Sequence, residues 1–112
     1  MNTLLISSTT HGHTEVLALH GVADLSTQAT LDAAVERAAA GAARRFVVDA
    51  SGVDFMNSTA LASLLRLRRG SQTAEPLGVV AAPGPVQRVI LASRLDRALR
   101  VYESLEDALL GA

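Results

Sequence analysis

The chain has 112 residues, 49% of them hydrophobic and 19% charged, with a formal net charge of −1, which is the balance of a single globular domain, and no second domain is expected within it. It has no cysteine, so thiolate catalysis, Cys-ligated zinc and iron–sulfur chemistry are excluded, and its ten basic residues are all arginine, which removes P-loop, Schiff-base and general-base lysines. Near-neutral charge and three aromatic residues, Phe46, Phe55 and Tyr102, offer nucleic acid neither a basic groove nor a stacking platform.

Residues 4–10 and 15–21 are β-compatible runs separated by a polar turn with Gly12, which predicts a hairpin. Asp24, Ser26 and Thr27 offer N-cap oxygens to a first helix carrying Leu31, Ala34, Val35, Ala38 and Ala42 at helical spacing and ending near Gly41. Phe46, Val47 and Val48 form an uninterrupted apolar run, the best candidate for a central strand, with Asp49 at its solvent end. A loop around Gly52 follows, over residues 50–57. A second helix starts at about Ser58 and stops near Gly70. Its apolar stripe is Ala60, Leu61, Leu64, Leu65 and Leu67, with Ser63, Arg66 and Arg69 free to face water.

Residues 71–76 read as a linker and 77–82 as a short apolar strand broken by Pro83, Gly84 and Pro85. Pro85 suits the first turn of a third helix reaching about Arg94. Residues 99–102 make a last strand, and Ser104 with Asp107 resembles a capping box opening a terminal helix through Leu110. The order β-β-α-β-α-β-α-β-α predicts an α/β fold: a mixed sheet with an antiparallel N-terminal hairpin, then alternating strands and helices, packed against about four helices. No apolar stretch approaches the roughly 20 residues of a membrane span, and the opening MNTLLISSTTHGH lacks a basic leader, so a cytoplasmic location without membrane contact is expected.

The informative segment is FVVDASGVDFMNSTALASLL, which sets Asn57, Ser58 and Thr59 at a loop-to-helix junction behind a central strand. Amides without intrahelical acceptors and the aligned peptide dipoles favour anions there, so a phosphate on Ser58 would fit without unfolding the domain. It would add about −1.5 to −2 charges to an exposed corner and abolish docking by repulsion. Spacing alone favours the plainer reading, in which Asn57 or Ser58 is simply an N-cap.

Residues 48–61, VDASGVDFMNSTAL, resemble the signature stretch of the STAS domain family, and specifically of its small free-standing bacterial anti-sigma factor antagonists. Gly21-Val22-Ala23-Asp24 is similar to the family's turn before its first helix, and residues 99–109 are similar to its closing strand and helix, so the likeness spans nearly all of residues 1–112 as one domain. The resemblance implies a non-enzymatic partner switch without a cofactor of its own. The unphosphorylated domain binds an anti-sigma factor with a serine kinase, histidine-kinase-like ATPase fold and frees the sigma factor. The kinase, supplying ATP and magnesium, then phosphorylates the serine that maps onto Ser58, and a serine phosphatase reverses the change. Thr59 is a second candidate acceptor, and Asp24, Met56, Asn57, Ala62 and Arg66 join Ser58 and Thr59 as expected partner contacts. Asn57 stands where the pattern has aspartate and Ala60 where it has glycine; the added methyl is expected to narrow the approach of a partner. A non-phosphorylated STAS scaffold subunit of an ATPase or transport complex is the alternative.

Other chemistries fit less well. Asp49 invites comparison with a phosphate-accepting receiver domain, but that chemistry needs a late lysine; Asp49 and Asp54 read as strand-end and loop-capping residues. His11, His13 and His20 have no acidic companions at metal-ligand spacing, so no metal is expected. Ser58 lacks a nucleophile elbow and a neighbouring base, and no Gly-rich nucleotide pattern is present. Arg66, Arg68 and Arg69 form a basic cluster that either caps the second helix or meets an acidic patch on a partner.

Overall fold

Alternating runs over the first twenty residues form two strands, β1 (Leu4–His11) and β2 (Thr14–Ala23), paired antiparallel from Leu4↔Gly21 to His11↔Thr14. Gly12 closes the two-residue turn with φ of 64°, a conformation that costs glycine nothing. We describe a computed structural model that covers residues 2–70, 75–95 and 97–111, without the side chains of residues 69 and 70. The predicted linker therefore lies mostly outside the described residues, as does the Arg69 side chain.

After β2 the chain makes one 3-10 turn (Leu25–Thr27) and enters α1 (Gln28–Ala39). The predicted stripe Leu31, Ala34, Val35 and Ala38 is buried, whereas Ala42 falls beyond the helix end. The third strand departs from expectation. β3 runs Arg45–Met56, so Asp49 sits in mid-strand and residues 50–56 are strand rather than loop. The cause is tertiary: β2 pairs in parallel with the whole of β3, through His20↔Gly52 and Val22↔Phe55, with two register shifts on the way. The His20 ring occupies the space that a Cβ on Gly52 would need, so any other residue there would have to displace that ring.

Next come α2 (Ser58–Gly70), β4 (Leu77–Val80), α3 (Pro85–Ala92), β5 (Leu99–Tyr102) and α4 (Leu105–Leu110). The five strands lie in the order β1-β2-β3-β4-β5, with every pair after the hairpin parallel. One face of the sheet packs against α1, α2 and α3 through Leu17, Leu19, Leu31, Leu61, Leu64 and Ile90. The other face is covered by α4, where Val16, Val47, Val80, Tyr102 and Ala108 cluster. Ser104 Oγ accepts the Asp107 amide at 3.1 Å to cap α4. At the other end of that helix the Arg45 guanidinium donates to the carbonyls of Ala108 (2.8 Å) and Leu109 (3.3 Å), where a helix leaves acceptors unpaired. Among the described residues no helix is long and apolar enough to cross a membrane.

Candidate functional site

The paired ends of β2 and β3 deliver the start of α2 to one corner. Asn57 joins them: its amide donates to the carbonyl of Ala23 (3.0 Å), and its Oδ1 accepts the amide of Ala60 (2.8 Å). Asn57 is therefore the N-cap of α2, and Ser58 and Thr59 occupy the first two helical positions, both exposed. Their hydroxyls and amides have no hydrogen-bond partner among the described residues. Two free, outward N–H groups beside an exposed hydroxyl make this helix entrance receptive to an anion formed on that hydroxyl.

Asp24 lies at the same corner. Its Oδ1 accepts the Ser26 hydroxyl (2.6 Å) and amide (3.0 Å), its own amide donates to Thr27 Oγ1 (3.1 Å), and Asn2 donates to its second oxygen. The Ser26 hydroxyl first and the Asn2 amide second hold its carboxyl below the usual carboxylate range, so it stays ionised. Asn2, Asp24, Leu25, Ser26, Phe55 and Asn57 line an open groove of about 620 Å³. Two of these are large apolar side chains turned to water, Leu25 at 85% and Phe55 at 46% exposure. Neither was expected as a contact residue. Leu25 falls outside the apolar stripe of α1, and Phe55 lay in a supposed loop, where exposure carries no signal.

Two expectations at this corner are corrected. Met56, expected to touch a partner, is 0% exposed and belongs to the core beneath the site. Ala60, whose methyl was expected to narrow the approach, is likewise buried, so that methyl fills the interior instead of obstructing the surface.

The family model described as Mlab, STAS domain, matches residues 6–107 of this chain. The chain belongs to the STAS domain family. The anti-sigma-F factor antagonist RsfB of Mycobacterium tuberculosis is 30% identical to this STAS domain over 110 residues, spanning 98% of it and 90% of RsfB. A solved anti-sigma factor antagonist from Mycobacterium paratuberculosis superposes with a TM-score of 0.88 at 27% identity, covering 97% of this STAS domain and 93% of that chain. SpoIIAA in its unphosphorylated form shares the fold, with a TM-score of 0.67 at 17% identity over 97% of this chain and 96% of its own.

Further along α2 the STAS domain uses its polar side chains internally. Ala62 is exposed one turn beyond Ser58, but Arg66 is not a free cation: its guanidinium reaches Asp32 Oδ1 at 2.8 Å and Glu36 at 4.0 Å on α1. Ser63, expected to face water alone, donates to Asp32 (2.8 Å) and accepts from Gln28 (2.7 Å). Arg66 thus joins two helices. The Ser63 hydroxyl first, then Gln28, then the charge of Arg66 lower the Asp32 pKa. A lowered folded pKa stabilises above the unfolded carboxylate value, and that stabilisation disappears as pH falls through the folded value. The Tm margin of the wild type over Asp32→Asn should therefore be full at pH 7 and shrink steadily below about pH 4. An equal margin at pH 7 and in strong acid would refute this role.

The remaining candidates are dispersed. His11 Nε2 lies 3.3 Å from Thr9 Oγ1, His20 packs on Gly52, and among the described residues no three His, Cys, Asp or Glu side chains gather as a metal site. Asp49 accepts the amide (3.1 Å) and hydroxyl (2.7 Å) of Ser51 within β3. Asp54 is exposed on the same strand instead of capping a loop.

Proposed function

We propose that this STAS domain is an anti-sigma factor antagonist, cytoplasmic and without catalysis of its own, that binds an anti-sigma factor of serine kinase fold and so releases a sigma factor. The observation that carries the reading is Ser58, an exposed hydroxyl beside two unpaired amides and next to a groove with apolar walls. The names of RsfB and of the Mycobacterium paratuberculosis relative support the same partner class.

In the docked state Leu25 and Phe55 supply apolar burial, while Asn57, Thr59 and Ala62 complete the surface around Ser58. The kinase then transfers the γ-phosphoryl group of ATP: the bond to the ADP oxygen breaks, a bond to Ser58 Oγ forms, and the hydroxyl proton passes to a base of the kinase. The new dianion is accommodated by the helix entrance but not by a partner that was fitted to a neutral hydroxyl. Dissociation follows, and a serine phosphatase restores the binding form.

Intact-mass analysis after incubation with the anti-sigma kinase and magnesium-ATP tests this. One phosphate should be added to the wild type and to Thr59→Ala, and none to Ser58→Ala. Intact docking with no mass change in the wild type would overturn the switch and leave a scaffold role.

A further inference from the structure

The sheet ends in two unlike edges, β1 and β5. β5 is short, carries the exposed Arg100, and has its Leu99 amide taken by the carbonyl of Leu95 at 2.8 Å, so it is poorly suited to receive another strand. β1 is the opposite case. It runs for eight residues, LLISSTTH, without an aspartate, glutamate, lysine, arginine or proline, and so lacks the charges and breaks that usually guard an edge. Ser7, Ser8, Thr9 and Thr10 are exposed, and the apolar Leu5 is 65% exposed.

Two observations fix which main-chain groups β1 holds free. The amide of Val22 donates to the carbonyl of Thr3 at 3.0 Å, and the two-residue turn closes on the pair His11↔Thr14. Bonded pairs in an antiparallel ladder recur at every second residue. The odd-numbered residues from Thr3 to His11 therefore face β2, while Ile6, Ser8 and Thr10 turn both amide and carbonyl outward. None of those groups has a partner among the described residues. The helix alongside leaves room: a groove of about 160 Å³, lined in part by Ile6, Ser8, Ala34 and Ala38, lies between β1 and α1. The two charged side chains of that groove, Glu15 and Arg37, are of opposite sign.

We propose that two copies of this chain join through β1, antiparallel about a two-fold axis at Ser8, into one sheet continuous across both. Ile6 of each copy pairs with Thr10 of the other and Ser8 pairs with Ser8, so every outward amide of the three meets a carbonyl. On the other side of the strand Ser7 stands beside Thr9 of the second copy, a hydroxyl pair, and the exposed Leu5 lies beside its His11. A second copy is the occupant because the edge selects by neutrality and length. It offers no ion pair to a charged peptide and no like charge to an identical strand. Pairing also needs a partner edge equally long and unguarded, which this chain itself supplies. Association stops at two, since the edges then left are the two β5 strands. The surface makes no use of Ser58, so this proposal and the switch can fail separately.

The test is sedimentation velocity of the full chain at rising concentrations. A reversible monomer–dimer equilibrium is expected, weak because a single strand pair buries a small area. Ser8→Lys sets two ammonium groups directly opposite each other and should weaken the dimer about tenfold or more at an unchanged Tm. Ser8→Pro deletes an amide that β2 does not use and should weaken the dimer likewise. Because the chain has no cysteine, Ser8→Cys places one thiol per copy at the axis, where a bonded-pair Cα separation of about 5.5 Å admits a disulfide. Mild oxidation should then give a covalent dimer. Thr10→Cys, whose two copies lie farther apart than the limit of about 7 Å, should give none. A wild type that stays monomeric at every concentration would overturn the proposal and leave β1 to an unlike partner. Undiminished dimers in Ser8→Lys or Ser8→Pro, equal cross-linking by Thr10→Cys, or assemblies larger than two would overturn it as well.

Discussion

Ser58→Glu is expected to weaken docking to the anti-sigma kinase by about a hundredfold or more while leaving the Tm essentially unchanged. A like charge or a desolvated anion in a fitted interface costs several kcal/mol, and each 1.4 kcal/mol is about tenfold in affinity. The host domain feels the opposite sign. A carboxylate in the first turn of α2 meets the positive end of the helix and two free amides, a contribution of about 0.3 to 1 kcal/mol in favour of folding. Ser58→Ala, which keeps the site neutral, should dock as the wild type does. Calorimetric titration with thermal melts of the same samples checks both halves. Undiminished docking by Ser58→Glu, or a collapse of its Tm, would sink the idea that Ser58 presents a switchable surface.

Met56→Ala should produce the reverse pattern, a large loss of stability with docking by the folded fraction preserved. Truncating a fully buried methionine removes apolar burial and leaves a cavity, at a cost of about 2 to 5 kcal/mol. Set against a total stability of roughly 5 to 15 kcal/mol, that should lower the Tm by about 10 °C or more. Met56→Leu, nearly volume-conserving, should lose less than about 1.5 kcal/mol. A normal Tm with lost docking in Met56→Ala would return the residue to the binding surface. Together the two variants separate the skin of this corner from its foundation.

The parts of the fold that could be read from the sequence are those set by local chemistry. β5 was legible because Val101 and Tyr102 favour strand and lie shortly before a capping serine, and the start of α2 was legible because asparagine, serine and threonine compete for a helix N-terminus. The second half of β3 was not. Ser51, Gly52 and Asp54 carry no strand preference, and their conformation is imposed by pairing with β2. The site divides along the same line. Ser58, Asn57 and Asp24 follow from capping rules, whereas the burial of Met56, the exposure of Leu25 and Phe55, and the capture of Arg66 by Asp32 depend on which elements become neighbours. Residue type and spacing do not encode that adjacency, so Arg66 read as an available cation and Met56 as a surface contact.

The neutral cap on α2 bears on how long a modified form would endure. Where the family pattern sets an aspartate, Asn57 makes the same bond to Ala60 with no formal charge. A phosphate on Ser58 would thus have no anion on the adjoining residue. Internal repulsion is correspondingly weaker than with an acidic cap, so this chain should shed its phosphate more reluctantly than a relative carrying aspartate there, and its off state should be the more persistent of the two.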